Sequence, residues 1–137
     1  MEKFLPYCLD SFIVPDNLPL LEVVVVNDGS KDKTLEIAKS YESRYPETFR
    51  VIDKENGNYG SCINVALKYL RGKYVKVVDA DDSVDTENFN EFLAFLQTVD
   101  SDLVLSDFIT VDEQRRETGK IIYDFGCPSA MPCMTIR

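Results

Sequence analysis

The sequence contains no histidine. That absence removes imidazole general bases, Ser-His-Asp and Cys-His nucleophile systems, and zinc sites with His ligands. Cysteine is scarce: Cys8, Cys62, Cys127 and Cys133 are the four in 137 residues. No two of them form a Cys-x-x-Cys pair, which argues against a zinc ribbon or a thioredoxin-like motif. They are read as free thiols in a reducing cytoplasm, although Cys127 and Cys133 are spaced to close a small loop. Positive charge is short as well, with 15 Lys and Arg against 24 Asp and Glu and a net charge of −9. Nucleic acid and anionic membrane are therefore not expected as partners, because counterion release needs clustered Lys and Arg. An anionic ligand is still allowed where a metal ion mediates the contact. Long apolar runs are missing too. The most apolar window, residues 18–26, holds Pro19 and Glu22 and is far too short to span a bilayer. No basic segment precedes an apolar one at the N-terminus, so no signal peptide is expected and the chain is read as cytoplasmic, with no membrane segment.

What is present is ordinary globular material. Apolar residues make up 45% and charged residues 28%, and 137 residues suffice for one domain, residues 1–137, with its own core. Phe4, Leu5, Cys8, Leu9 and Phe12 recur at helical spacing over residues 2–13. Pro15 and Pro19 end that helix. The Val-rich run 22–26 reads as a buried strand, and Asn27-Asp28-Gly29-Ser30 as the turn after it. Ser30 or Asp32 can cap a helix over 33–45, which Pro46 breaks. A strand over 49–53, a turn at 56–60 and a helix carrying Ile63, Ala66, Leu67 and Leu70 up to Gly72 follow. Residues 74–78 read as the next strand, and Asp85 caps a helix with Phe89, Phe92, Leu93 and Leu96 on one face. Residues 103–111 and 120–125 flank a polar stretch and are expected to form a hairpin or strand pair. Strands alternating with helices predict an α/β sandwich with a mostly parallel sheet. Three loops should then meet at the carboxyl edge of the sheet: 28–30, 56–60 and 79–82.

The loop at 79–82 is the most informative. An apolar run stops at Val78 and three carboxylates follow, Asp79, Asp81 and Asp82. Crowded carboxylates repel one another unless a cation joins them, and an oxygen-only donor set suits Mg²⁺ or Mn²⁺ holding a substrate phosphate. Other readings compete. An EF-hand-like calcium loop would want glycine where Val84 stands and a bidentate Glu where Asn90 stands. The Asp-x-Asp-x-Ser-Val pattern from Asp79 to Val84 resembles the haloacid-dehalogenase-like phosphatases, with Asp79 as nucleophile and Asp81 as acid/base, although no paired-Asp loop follows it. A receiver-like phosphoacceptor would want its acidic pair after the first strand. The plainest alternative is a helix cap with no ligand.

The order of motifs favours one reading over these and leaves a phosphatase using Asp79 as the lesser alternative. It runs Asn27-Asp28-Gly29-Ser30-Lys31-Asp32-Lys33-Thr34, then Asn56-Gly57-Asn58-Tyr59-Gly60 with Asn64, then Gly72-Lys73-Tyr74 and Asp79-Ala80-Asp81-Asp82. In order and spacing it resembles the family 2 glycosyltransferases, inverting enzymes with the GT-A fold, over about residues 2–125. The resemblance implies a three-layer α/β/α, GT-A-like nucleotide-binding half-domain with a mostly parallel sheet. It implies transfer of a sugar from a nucleotide-diphosphate donor, such as a UDP-sugar, to an acceptor hydroxyl with inversion. Asp28 would then bind the base or ribose, Asp79 would sit near the ribose or sugar, and Asp81 would ligate Mg²⁺ or Mn²⁺. Asn56, Gly57 and Asn64 would shape the loop and helix beside the donor.

Two departures from the family pattern carry expectations of their own. The pattern begins with an apolar strand that lies between those corresponding to 22–26 and 74–78, and here the sequence starts after it. That should leave two unpaired strand edges, which a homodimer would cover. The pattern also places its catalytic base beyond the Asp-x-Asp motif. Asp102, Asp107, Asp112 and Glu113 are carboxylates in that direction, but none sits in a matching motif and no base is assigned. These 137 residues are accordingly expected to transfer sugar poorly or not at all, the alternative role being a catalytically inactive binding or assembly module.

Overall fold

A computed structural model describes residues 1–123. Helix α1 (Leu5–Ser11) starts with Pro6 in its first turn, where a missing N–H costs nothing, and buries Leu5, Cys8 and Leu9. A 3₁₀ segment, Pro15–Leu20, carries the chain to strand β1 (Val23–Asp28). Helix α2 (Thr34–Arg44) returns it to strand β2 (Phe49–Lys54). The two strands pair in parallel, with Val23 opposite Phe49 and Asp28 opposite Lys54. Helix α3 (Asn58–Ala66) lies against β1. Helix α4 (Thr86–Thr98) follows a long irregular passage, and β3 (Phe108–Val111) pairs antiparallel with β4 (Glu117–Ile121). The mixed α/β arrangement with a parallel sheet is the one the alternation of apolar runs predicts.

Two apolar clusters hold this together. Leu5 and Leu9 of α1, Ala38 and Tyr41 of α2 and Phe49 of β2 form the larger, with Val23 and Val25 packed against it. Alternation along a strand sends Val23 and Val25 to the same face, so α1 and α2 cover that face of the sheet. Burying a Leu or Phe side chain of this kind stabilises by about 1.5–3 kcal/mol relative to exposure. Val14, Val84, Phe89 and Leu93 form the second cluster and dock α4 beside the 3₁₀ segment. Asp85 caps α4, accepting from the N–H groups of Glu87 and Asn88. At the start of α2 it is Asp32 that accepts from Thr34 N–H, at 3.1 Å.

The structure corrects several boundaries. The helix expected to run to Gly72 begins inside the predicted turn, at Asn58, and stops at Ala66. Its last turn tightens through i to i+3 bonds, Lys68 N–H to Val65 O and Tyr69 N–H to Ala66 O, and no α3 residue is buried to hold it longer. Residues 74–78 form no strand among the described residues. A strand exists only through a neighbour's backbone, and here β1 pairs with β2 alone. Val75 and Val77 are left 54% and 48% exposed. Of the two unpaired strand edges expected from the sequence, that of β1 is present, whereas 74–78, not being a strand, presents none. Residues 103–107 are likewise irregular, and the hairpin is confined to β3 and β4. Residues 124–125, Cys127 and Cys133 lie outside the described residues.

Candidate functional site

Parallel pairing brings the ends of β1 and β2 together, and with them Asp28 and Lys54, the last partners of the ladder. Lys54 Nζ donates to Asp28 Oδ1 and to the Glu55 carbonyl, the latter at 2.7 Å. Gly57 N–H, at the mouth of α3, donates to the same Oδ1 at 2.9 Å. Asn56 Nδ2 reaches the Asp28 carbonyl at 3.2 Å. The Lys54 hydrogen bond, opposed by partial burial and helped by the Gly57 N–H, holds the Asp28 carboxyl below the usual carboxylate range. The loops at 28–30 and 56–60 are thus one structure, stitched through a single carboxylate.

Two glycines make that closeness possible. Gly29 has φ +72°, and a Cβ there would stand 3.0 Å from Asn56 N. A Cβ on Gly57 would fall 2.7 Å from Ser61 Oγ and 3.0 Å from Lys54 Nζ. Asn58 has φ 69° and leads the chain into α3, a conformation that asparagine tolerates better than most side chains. One residue back on β1, Asn27 is buried and donates to Asp53 Oδ1 at 2.7 Å. An open cleft of about 450 Å³ runs beside these strand ends, lined by residues that include Asn27, Gly29, Ser30, Lys54 and Glu55.

The acidic loop is built by α1 rather than by a strand. Asp82 N–H donates to Asp79 O at 2.9 Å, Ser11 Oγ accepts from Val84 N–H at 3.1 Å, and Cys8 Sγ lies 3.7 Å from Asp79 O. Ala80 packs against the larger core cluster while Asp79 and Asp81 are exposed. Burial, reinforced by the charges of Asp82, Asp81 and Asp79, pushes the Cys8 thiol up to about 12, so it is an inert thiol at neutral pH. Among the described residues no group of three or more Cys, Asp or Glu converges on one point. That geometry is not a protein-only cage. It does fit Mg²⁺ or Mn²⁺ held by one or two carboxylates and completed by substrate phosphate, because Asp81 is exposed and its carboxylate makes no hydrogen bond or ion pair among the described residues.

Of the residues singled out from the sequence, Asp28, Asn56 and Gly57 come together. Asn64 is exposed on α3 and makes no hydrogen bond to them, and none joins Asp79 or Asp81 to them among the described residues. Asp112, one of the spare carboxylates, is committed to the β3–β4 turn through Arg116 N–H, Arg116 Nε and Gln114 N–H. Those bonds, led by the Arg116 N–H, lower its pKa. Lys54 is the site residue that motif reading missed. The available signal was a lysine ending a strand directly before Glu55-Asn56-Gly57.

Comparison with known proteins meets this geometry. The sequence model for glycosyl transferase family 2 matches residues 2–129. The chain belongs to that family. It is 34% identical over 116 residues to the uncharacterized glycosyltransferase EpsJ of Bacillus subtilis, covering 85% of this chain and 33% of EpsJ. It is 34% identical over 105 residues to the poly(ribitol-phosphate) beta-N-acetylglucosaminyltransferase TarS of Staphylococcus aureus, covering 76% of this chain and 18% of TarS. The crystal structure of TarS 1–349 in complex with UDP-GlcNAc superposes with a TM-score of 0.60 at 36% identity, over 70% of this chain and 28% of that one. The GT-A-like fold follows from that likeness. The chain spans well under half the length of these relatives. No helix among the described residues is long and apolar enough to cross a membrane.

Proposed function

We propose that this family 2 domain binds a nucleotide-diphosphate sugar, such as a UDP-sugar, across the carboxyl edge of β1 and β2, for transfer to an acceptor hydroxyl with inversion. The observation that carries the proposal is the Asp28 carboxylate, held ionised at the strand end between Lys54 and the Gly57 N–H. The TarS neighbour, which holds UDP-GlcNAc, supports the same class of ligand. In this reading Asp28 accepts from the nucleoside, Asn56 and Gly57 shape the loop around it, and Asn64 lines the adjoining helix. Asp79 sits beside the ribose or sugar and Asp81 holds Mg²⁺ or Mn²⁺. When bound, the metal supplies Lewis-acid stabilisation of the negative charge on the departing diphosphate. Titration calorimetry with UDP and Mn²⁺ tests the site: binding that weakens at least tenfold in Asp81→Asn is expected. Equal affinity in the variant would remove the metal ligand, and sugar transfer on a donor panel separates an enzyme from a binding module.

We also assign the free edge of β1 to a second copy of the chain. The outer edge of β2 is guarded, since Glu42 Oε1 caps the Val51 N–H at 2.8 Å. The four-valine run of β1 has no such guard among the described residues, and an open apolar edge invites pairing. Light scattering is expected to give the mass of two chains at micromolar concentration, and a mass of one chain across the range would rule the dimer out.

A further inference from the structure

Arg115 carries two costs at one position. It stands in the turn of the β3–β4 hairpin with φ 63°, a left-handed backbone that a long side chain adopts reluctantly and glycine adopts freely. Its guanidinium lies over the ring of Tyr7 on α1, and Nη1 is buried with no hydrogen-bond partner among the described residues. A buried donor without an acceptor is uncommon in a folded chain. The neighbouring Arg116 shows the contrast, with Nε and Nη2 on Asp112 Oδ2 at 2.8 and 2.7 Å. The chain holds 24 Asp and Glu, yet none of those described meets Nη1. Costs of this kind persist at ligand clamps and switch regions. None of the hairpin's residues joins either core cluster, so it can shift without opening the core. Just before β3, Ser106 Oγ accepts from Lys76 Nζ at 3.2 Å, three residues ahead of Asp79. The tip rests on Tyr7, next to Cys8, whose Sγ lies 3.7 Å from Asp79 O. Root and tip are thus both anchored beside the acidic loop.

We propose that Arg115 is a phosphate-binding residue, carried on the β3–β4 hairpin as a strap that closes on the diphosphate at the acidic loop. The inference rests on the nucleotide-sugar reading above and adds a basic group to a loop built from carboxylates. A planar guanidinium presents N–H donors in a fork that matches phosphate oxygens, and such charge-assisted hydrogen bonds are the stronger kind. The fit is one of charge as well. Asp79, Asp81 and Asp82 repel an anion, and the chain has a net charge of −9, so a diphosphate needs cations brought to it. As the strap closes, the turn moves off its seat on Tyr7 and Nη1 gains the acceptor it lacks. Asp112 keeps the turn intact through that movement, since the N–H groups of Gln114 and Arg116 both end on its Oδ1 at 2.9 Å.

The experiment compares UMP and UDP on the whole chain with Mn²⁺, two ligands that differ by the terminal phosphate. Calorimetry is expected to show UDP binding at least about tenfold more tightly than UMP. In Arg115→Gly that preference is expected to fall about tenfold, with UMP affinity unchanged. Arg115→Lys, which keeps the charge and loses the fork, is expected to retain part of it. Glycine accepts φ 63°, so the variant should stay folded, which circular dichroism checks. Arg115→Asn, also at ease in left-handed backbone, carries the test should the glycine variant unfold. A guanidinium that only pins the turn to α1 would leave the ratio of UDP to UMP affinity as it is in the parent. An unchanged ratio therefore overturns the role of Arg115 while leaving nucleotide binding intact, and so does a parent chain that binds UMP as tightly as UDP. No affinity for either nucleotide overturns this inference and the nucleotide-sugar reading together.

Discussion

At the scale of residues, the site depends on where side chains are missing. Gly29 is the sharpest case. Its φ of +72° is a backbone region that a side chain makes costly, and the Cβ would press on the backbone N of Asn56 at 3.0 Å. Asn56 cannot retreat freely, because its side chain donates to the Asp28 carbonyl. Gly29→Ala should therefore cost about 1–2 kcal/mol from the left-handed backbone alone, and it should also pull the 56–60 loop away from Asp28. Urea unfolding reads the first effect and UDP affinity the second. A variant as stable as the parent, with unchanged affinity, would show that the two loops are not held in register by this contact. Cys8 makes the opposite point. It is a buried thiol beside three aspartates, and its burial keeps it protonated, so proximity to the acidic loop gives it no part in the chemistry.

At the scale of elements, legibility in the sequence tracked how locally each element is specified. The helix over 33–45 and the strands over 22–26 and 49–53 were readable because their own residues set both pattern and ends: Ala38 and Tyr41 at helical spacing, four consecutive valines, Pro46 as the stop. The same holds for α4, whose Asp85 cap and Phe89–Leu93 face both appear as expected. Failures fell where the decision belongs to another part of the chain. Whether 74–78 is a strand depends on a neighbour, and Val75 and Val77 cannot supply one themselves. Where α3 begins depends on Asp28, 29 residues earlier, which takes the Gly57 N–H and so organises the start of the helix. The candidate site divides in the same way. Asp28, Asn56 and Gly57 were visible as motif residues, whereas Lys54 belongs to no motif and emerges only when β1 and β2 are set in register.

At the scale of the whole molecule, acidity should be the chain's weak side. Asp28 and Asp112 both have carboxyls lowered by hydrogen bonds in the folded state, Asp28 chiefly through Lys54 and Asp112 through Arg116. A carboxyl whose folded pKa lies below its unfolded value, about 3.9 for aspartate, stabilises the fold above that unfolded value. The contribution is lost as pH falls through the folded pKa, since the unfolded chain takes up protons first. Urea midpoints should then change little between about pH 7 and 5 and drop below about pH 4. A midpoint that holds steady down to about pH 3 would mean that these hydrogen bonds do not persist in solution. The two carboxylates can also be told apart. Asp112 secures the turn between β3 and β4, a hairpin that contributes no residue to the larger core cluster, whereas Asp28 ties β1, β2 and the entry to α3 together. Asp28→Asn should flatten the acid limb of the urea midpoints more than Asp112→Asn does. The reverse order would place the acid-sensitive link in the hairpin and leave the parallel strand ends, with the site they carry, indifferent to the Asp28 charge.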